Sequence, residues 1–275
     1  MPLYEIPRPF IKFIGGKRRL LPELCKRVPE KIGRYHELFI GGGALFFELR
    51  REGRINNAVI GDADERLART WRGVRDDLDG VLAALREHER IHSREHFECM
   101  RTVTTFATDA LCAAWRIYVS KTAYNGLYRV NRKGMLNATF GDYESPRIVD
   151  ERNLRACSRA LQGVEIVHCD FEDLRPGQEG DFFYFDPPYV PVSKTANFRG
   201  YTATGFDEDA QRRLAEHARR LKEAGARVLL TNSDAPLVRE LYPEPFWKVE
   251  RVEARGDAVN CKGEGRGKIA ELIIS

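Results

Sequence analysis

The stretch YHELFIGGGALFFELRREG, residues 35–53, places three consecutive glycines between a short apolar segment and a segment with helical spacing. The first part is typical of a buried β-strand, and the part after the glycines is typical of an amphipathic helix. A strand that turns through glycines directly into a helix is the opening unit of many open α/β sheets. The glycines also allow the backbone to approach a ligand closely at the start of that helix.

Working outward from this unit, further strands alternate with helices. Residues 56–70 (NNAVIGDADERLART) and 164–174 (VEIVHCDFEDL) each predict a strand that ends in acidic residues. Strands are also predicted in DFFYFDPPY (181–189) and, after a long amphipathic helix, in RVLLTN (227–232). The alternation predicts an α/β fold with a doubly wound, mostly parallel, Rossmann-like sheet. FWKVERVEA (246–254) and KIAELIIS (268–275) predict a closing antiparallel pair.

One region breaks the alternation. From about Glu65 to Asp109 the sequence is highly charged and keeps helical spacing, as in LDGVLAALREHER. We therefore predict an inserted, mainly helical subdomain over residues 66–145. The catalytic domain would comprise residues 1–65 and 146–275.

The composition excludes several classes of protein. Of the 275 residues, 43% are hydrophobic and 31% charged, and no apolar run approaches the roughly 20 residues of a membrane span. The start of the chain lacks the pattern of a signal peptide. The six cysteines include no C-x-x-C pair, as expected of free thiols in a reducing cytoplasm. We therefore expect a cytoplasmic protein that does not contact a membrane.

The positive charge is modest in total but clustered. The net charge is +4, whereas residues 121–135 (KTAYNGLYRVNRKGM) contain four basic residues, two tyrosines and no acid. Basic residues mixed with aromatic ones favour a phosphate-rich partner such as nucleic acid. A solvated basic surface explains the charge equally well.

The glycine turn predicts a nucleotide-like pocket. Asp62 stands at the end of the second predicted strand, 19 residues after Gly43, where a carboxylate suits the hydroxyl groups of a ribose. This arrangement fits NAD and S-adenosylmethionine alike. Because the glycines form G-G-G rather than G-x-G-x-x-G, a pyrophosphate cradle is less favoured than a site for an adenosine without phosphates.

In the stretch DFFYFDPPYV, residues 181–190, an apolar strand is followed by Asp186 and two prolines, which predict a rigid corner at the end of the strand. Each proline fixes φ near about −65° and removes a backbone donor, and a residue before proline favours extended geometry. Asp186 and the carbonyl of Pro187 would thus be fixed acceptors beside the ring of Tyr189. This combination suits a planar base that carries an amino group.

The chemistry of such an amine explains why the acceptors are needed. The exocyclic N6 of adenine is a poor nucleophile because its lone pair is delocalised into the ring. Two acceptors on its N–H bonds favour a pyramidal nitrogen that can attack a methyl sulfonium, which is catalysis by positioning and preorganised electrostatics. The base must leave the DNA stack to reach such a pocket.

These motifs together resemble a known family. DPPY at 186–189 and FIGGG at 39–43 are similar to motifs of amino-methyltransferases that use S-adenosylmethionine. IKFIGGKRRLLPEL (11–24), AYNGLYRVNRKGMLNATFG (123–141) and SKTANFRGYTATGF (193–206) resemble the cofactor segment, the DNA-reading hairpin and the post-catalytic loop of Dam-type, alpha-group DNA adenine-N6 methyltransferases. The motifs occur in the family's order and cover most of the chain.

The resemblance implies roles for individual residues. Asp186, Pro187 and Tyr189 would hold the target amine, and no metal would be required. S-adenosylmethionine, converted to S-adenosylhomocysteine, would be the cofactor, with Asp186 also near it. Its other contacts would come from Phe13, Lys17, Phe39, Gly41, Gly43, Asp62, Asp170 and Phe171.

The hairpin is implied to bind double-stranded DNA through Tyr124, Asn125, Leu127, Arg129, Asn131, Arg132 and Lys133. Arginine often makes a bidentate contact with guanine, and in Dam-type enzymes that guanine begins GATC, which is therefore the first candidate target. Ala138 and Thr139 stand where the family commonly has a proline, and Phe13 and Ile14 also depart from its usual residues. NCKGEGRGK at 260–268 differs from the family's glycine-rich basic stretch.

Two alternative functions stay open. The same corner would suit methylation at cytosine N4, and an inactive homologue would bind DNA without transferring a methyl group. A cognate restriction endonuclease is a potential partner, and a monomer is the default expectation. HERIH at 88–92 fits the H-E-x-x-H zinc pattern literally, but its charged flanks favour a solvated helix face.

Overall fold

The computed structural model describes residues 6–13, 15–174, 177–191, 205–255 and 268–275. Within them, one sheet of seven strands has the order β3-β2-β1-β4-β5-β7-β6. The strands are β1 (Arg34–Glu37), β2 (Ala58–Asp62), β3 (Glu165–His168), β4 (Asp181–Phe185), β5 (Arg227–Ser233), β6 (Val249–Arg255) and β7 (Lys268–Ile274).

The first five strands run parallel, with register pairs such as Tyr35 with Phe182 and Phe185 with Leu230. β7 pairs antiparallel with β5, and β6 pairs antiparallel with β7. The predicted mostly parallel sheet and its closing antiparallel pair are therefore confirmed. The strand order reverses between β1 and β4, and ligands of such sheets bind at that point, beyond the carboxyl ends of the strands.

Helices cover both faces of the sheet. They are α1 (Leu21–Cys25), α2 (Ala44–Arg51), α3 (Glu65–Asp76), α4 (Leu78–Arg90), α5 (Arg94–Thr102), α6 (Asp109–Thr122), α7 (Glu151–Leu161), α8 (Glu208–Glu223) and α9 (Pro236–Leu241). In the described part of the chain, short 3₁₀ turns occupy Lys17–Arg19 and Tyr124–Gly126.

The alternation of side chains along β4 shows how the two layers share the sheet. Phe182 and Tyr184 enter a core that also contains Trp71, whereas Phe183 and Phe185 enter a separate core with α8. All five residues of β4 are buried, as expected for a central parallel strand. The carboxyl end of β4 is thus fixed from both sides before the chain reaches Asp186.

The predicted insert is mainly helical and is joined to the sheet by a common core. Trp71 of α3 stacks on Phe47 of α2, with ring centroids 5.4 Å apart. After α6 the chain forms a hairpin, marked by antiparallel bridges between Ala123 and Phe140 and between Val130 and Leu136. The division of the chain at residues 65 and 145 remains a prediction.

Candidate active site and DNA-reading hairpin

The carboxylate of Asp186 lies directly beyond β4 and is held by two donors. Lys17 Nζ is 2.8 Å from Oδ1 of Asp186, and Thr231 Oγ1 donates to the same oxygen at 2.8 Å. Lys17 is almost fully buried and also donates to the carbonyl of Gly15 at 2.7 Å. Both of these contacts are made by Oδ1 of Asp186. They therefore also fix the direction of the second carboxylate oxygen, Oδ2.

The rest of the corner is fixed by polar side chains at the end of β5 and on α8. Gln211 Nε2 donates to the carbonyl of Pro188 at 2.7 Å, and Asn232 Oδ1 accepts from the backbone N–H of Val190 at 3.1 Å. Asn232 and Gln211 are themselves joined by a 3.1 Å hydrogen bond. Sequence reasoning missed these residues, although the polar run TNSD at the end of a buried strand was an available signal.

Tyr189 has its ring and its hydroxyl held separately. The ammonium of Lys17 lies 4.6 Å from the ring centroid, and the hydroxyl donates to Glu271 Oε2 of β7 at 2.6 Å. Burial, with the nearby Asp186 and Glu271 charges, raises the pKa of Tyr189 well above its ordinary value. The phenol therefore stays neutral and serves as a donor. Glu271 was not foreseen from the sequence.

The glycine turn after β1 packs against the N-terminal segment and α3. Gly41 and Gly43 have φ values of 45° and 66°, in the left-handed region that favours glycine. A Cβ at Gly43 would lie 2.5 Å from the Trp71 ring, and one at Gly41 would lie 3.1 Å from the ring of Phe13. The predicted cofactor residues Phe13, Gly41 and Gly43 are thus brought together.

Two carboxyl groups flank this turn. Asp62, at the end of β2, accepts from the N–H of Asp64 at 3.0 Å, and burial raises the pKa of Asp62 to about 7. Glu37, at the end of β1, accepts from the hydroxyl of Tyr35 at 2.7 Å, and burial raises its pKa well above the ordinary value. Glu37 was missed by sequence reasoning, although its place at the end of the strand before the glycine turn was an available signal.

Phe39 and Phe171 form an aromatic patch beside the turn. Their rings stack with centroids 5.8 Å apart, and Phe206 packs edge-on against Phe39 at 5.5 Å. Asp170 is adjacent but forms a 3.0 Å ion pair with Arg213 at the surface. Phe171 therefore lies beside the predicted pocket, in contact with Phe39. The carboxylate of Asp170 is instead paired with Arg213 of α8.

The hairpin after α6 has buried apolar residues and exposed basic ones. Buried Gly126, Tyr128, Leu136 and Ala138 anchor it. Outside these anchors lie the residues implied to bind DNA, of which four are exposed: Tyr124, Arg129, Arg132 and Lys133.

The other three implied DNA-binding residues are half-buried and shape the hairpin. Asn125 has φ 53° and its N–H donates to the hydroxyl of Tyr143 at 2.9 Å. Asn131 Oδ1 accepts from the N–H groups of Lys133 and Met135 at 2.9 and 3.1 Å, and Leu127 packs against the core. The basic residues of the hairpin therefore stand on a well-defined scaffold.

Some predicted features fall outside the described residues. These are Ile14, nearly all of the loop 193–206, and the stretch 260–267.

The histidines of HERIH do not form a solvated helix face. α4 ends at Arg90, so His92 lies beyond the helix that carries His88. His92 Nδ1 is 2.9 Å from the hydroxyl of Tyr118, and His88 stacks on the ring of Tyr118 at 4.8 Å. The expectation of a solvated face was wrong because the face of α4 that carries His88 packs on Tyr118 of α6, and His92, beyond the end of α4, contacts the same tyrosine.

Across the described ranges, no group of three or more His, Cys, Asp or Glu side chains is arranged to hold a metal ion. Among the same residues, no helix is long and apolar enough to cross a membrane.

Comparison with known proteins identifies the family to which this arrangement belongs. Residues 13–256 match the family described as D12 class N6 adenine-specific DNA methyltransferase. The type II methyltransferase M1.LlaDCHI of Lactococcus lactis subsp. cremoris is 38% identical over 98% of this chain and 95% of its own length. The type II methyltransferase M.MjaIII of Methanocaldococcus jannaschii is 35% identical over 97% and 98%.

A more distant relative is the DNA adenine methylase of Haemophilus influenzae, 29% identical over 97% of this chain and 92% of its own length. The matches extend over nearly the whole chain, including the glycine turn, the hairpin and the corner after β4. The chain therefore belongs to the D12 class of N6 adenine-specific DNA methyltransferases.

Proposed function

We propose that this DNA adenine methyltransferase uses S-adenosylmethionine as its methyl donor and modifies a flipped adenine within a short duplex sequence. The observation that carries the proposal is the direction of the Asp186 carboxylate, which two donors fix next to the ring of Tyr189. Adenine N6 is the amine that such a corner suits. The family supports adenine over cytosine N4 and over an inactive homologue.

The residues around the glycine turn fit this donor. Gly41 and Gly43 would let the backbone approach the ligand, and Asp62 would accept hydrogen bonds from the ribose hydroxyls. Phe171 offers an apolar ring that would contact the adenine of the cofactor, and Phe39, which stacks on Phe171, would line the amino-acid end of the cofactor. Phe13 and Lys17 would complete the site from the N-terminal segment. Bound in this pocket, S-adenosylmethionine supplies an electrophilic methyl group on sulfur.

The catalytic corner would act on the target amine. Asp186 and the Pro187 carbonyl would accept hydrogen bonds from the two N6–H groups. These hydrogen bonds would localise the lone pair on the nitrogen. Tyr189 would stack on the base and keep N6 in line with the methyl group. Transfer would replace the bond between the methyl group and the donor sulfur by a bond to N6, and N6 would release one proton to solvent. No step requires a covalent enzyme intermediate.

Target choice is assigned to the hairpin. Arg129 would contact a guanine edge in the major groove, while Arg132 and Lys133 would contact phosphates. GATC is the proposed target, because the hairpin resembles that of Dam-type enzymes, and a relative named DNA adenine methylase in Haemophilus influenzae is consistent with this choice. The names of two relatives as type II methyltransferases support a role beside a restriction endonuclease. We propose a monomer acting in the cytoplasm.

Replacement of Asp186 tests the proposal. We expect Asp186→Ala to lower methyl transfer by about 100-fold or more while DNA binding is retained, because the preorganised acceptor is lost. Asp186→Asn serves as the second variant, since its amide oxygen still accepts from Lys17 and Thr231 and protects the fold. Transfer is measured with labelled S-adenosylmethionine and a DNA pool, and sequencing then locates N6-methyladenine.

Glu216→Ala, on the exposed face of α8, is the matched control for loss of a carboxylate. Substantial transfer by both Asp186 variants would contradict the assigned mechanism. Methylation at a motif other than GATC would overturn only the target. Methylation at cytosine would overturn the choice of base.

A further inference from the structure

The N-terminal segment and the end of α6 enclose a basic cavity that the proposed chemistry does not use. Its volume is about 230 Å³, and its cations are Arg8, Arg18, Lys121 and Arg147. Asp150 is the acidic residue in its lining. We define this group of five residues as the basic cavity.

The positive charges of the basic cavity are incompletely balanced. Asp150 is 3.0 Å from Arg147 Nη2 and 3.8 Å from Arg8 Nη2, so one carboxylate faces four cations. Burial lowers the pKa of Lys121, and Arg147 and Arg8 lower it further whereas Asp150 opposes them. Clustered like charges repel one another and favour the binding of an anion.

The backbone that carries Arg8 is fixed in place. Asn153 of α7 donates from Nδ2 to the carbonyl of Arg8 at 3.0 Å and accepts from its N–H at 3.0 Å. Buried Phe10, Ile117, Ile148 and Leu154 form an apolar floor. The guanidinium groups of Arg8 and Arg147 remain largely exposed above that floor, with 56% and 72% of their side-chain surface accessible.

The basic cavity is lined by residues of two segments, one of which leads to the catalytic corner and the other to the hairpin. Arg18 lines it, while the adjacent Lys17 reaches Asp186 at 2.8 Å. On the other side, Lys121 is three residues before Tyr124, and the side chain of Lys12 packs where a Cβ of Gly126 would stand, 2.4 Å from Lys12 Cδ. A DNA strand that enters the corner and also contacts the hairpin would therefore pass this cavity.

We propose that the basic cavity binds a backbone phosphate of the DNA strand close to the flipped adenine. The inference rests on the proposed function. Arginine pairs with phosphate oxygens through two parallel N–H donors, and the exposed pair of arginines can do so without burial of further charge. Rotation of a nucleotide out of the stack turns about its backbone, so a fixed neighbouring phosphate would guide it.

The experiment measures DNA affinity as a function of salt for Arg8→Gln, Arg147→Ala and the double variant. A phosphate contact contributes a slope of about −0.9 to log K against log salt. We expect each single variant to reduce the slope by up to about 1 and to weaken target and non-target duplexes equally. The control Arg219→Ala removes an arginine paired with Glu216 and Glu223 on α8 and should leave the slope unchanged.

A second measurement identifies the phosphate. Single methylphosphonate substitutions, which remove one backbone charge, are placed along the strand around the methylated adenine. One position should weaken binding by wild type but not by the double variant. The phosphate site would be overturned if the salt slopes were unchanged. It would also be overturned if every methylphosphonate position affected wild type and the double variant equally. If inorganic phosphate competed with DNA at constant ionic strength, and no methylphosphonate position distinguished wild type from the double variant, the cavity would bind a free anion. That result would also overturn the proposed site for a DNA phosphate.

The proposed function fails separately. If wild type transferred no methyl group to any DNA, the catalytic proposal would be lost whatever the salt slopes showed. If wild type methylated DNA and the variants kept their slopes, only the basic cavity would lose its assignment.

Discussion

At the scale of single residues, the direction of one carboxylate organises the site. Lys17 and Thr231 both contact Oδ1 of Asp186, and Thr231 Oγ1 is also 3.3 Å from the hydroxyl of Tyr184. Thr231 is fully buried at the end of β5 and is therefore a fixed donor. We expect its contribution to be positioning, since it lies behind the carboxylate rather than beside the target.

Thr231→Val tests this positioning because the two side chains have nearly the same shape. A hydrogen bond to a charged group contributes about 1.5–3 kcal/mol, so kcat should fall by about 10-fold or more. Affinity for DNA should change little. Single-turnover transfer and DNA binding are measured side by side, with Thr231→Ser as the variant that restores the donor. An unchanged kcat in Thr231→Val would show that Lys17 alone orients Asp186.

At the scale of elements, the hairpin separates the residues that shape it from those that face outward. Gly126, Tyr128 and Leu136 are buried, whereas Arg129 and Lys133 are exposed. Tyr128 is further held by Arg116 of α6, whose guanidinium lies 3.2 Å from the ring centroid. Substitutions on the exposed side should therefore change DNA recognition without unfolding the hairpin.

Arg129→Ala should relax the choice of one base pair by about 1–3 kcal/mol, because a bidentate contact with guanine would be lost. The rate of methylation is compared across duplexes that differ at each position of the target. Lys133→Ala is the matched control and should weaken all duplexes by the same factor. If Arg129→Ala kept full discrimination at every position, the guanine contact would belong to another residue.

The elements also show what the sequence could predict and what it could not. Apolar runs that end in Asp62 and Asp186, with glycines after β1, contain the local signals of a parallel sheet and its ligand edge. Contacts such as Tyr189 with Glu271 join residues 82 positions apart, and no local pattern encodes such a pairing. The turn that ends α4 at Arg90 was missed for a related reason, since the charged spacing continues beyond it.

At the scale of the whole molecule, the two ends of the described chain are joined by an ion pair. Arg27, just after α1, donates from Nε and Nη2 to the carboxylate of Glu250 on β6 at 2.9 and 3.0 Å. The hydrogen bond from Arg27, followed by that from Lys248, lowers the pKa of Glu250 to about 2. Because the folded-state pKa lies below the unfolded one, the stabilisation exists above the unfolded pKa and is lost as pH falls.

Glu250→Gln should therefore lower Tm near neutral pH by about 1–3 °C, as expected for a partly exposed pair. The difference from wild type should shrink as pH falls from about 6 to about 3, because Glu250 then becomes protonated in the unfolded chain of wild type. Thermal unfolding is followed across this range. Glu179→Gln, at an exposed turn, is the control and should show little change. A difference independent of pH would exclude the ion pair as its cause.

The position of β7 has a consequence for how the enzyme is made. β7 follows β6 in the sequence but lies between β5 and β6 in the sheet, and it carries the Glu271 that holds Tyr189. During synthesis on the ribosome, β6 emerges before the only strand with which it pairs in the described sheet, and Tyr189 emerges long before its partner Glu271 on that same strand. A chain that ends before residue 268 would lack both the strand that pairs with β6 and the Glu271 carboxylate that accepts from Tyr189, and we expect it to transfer no methyl group.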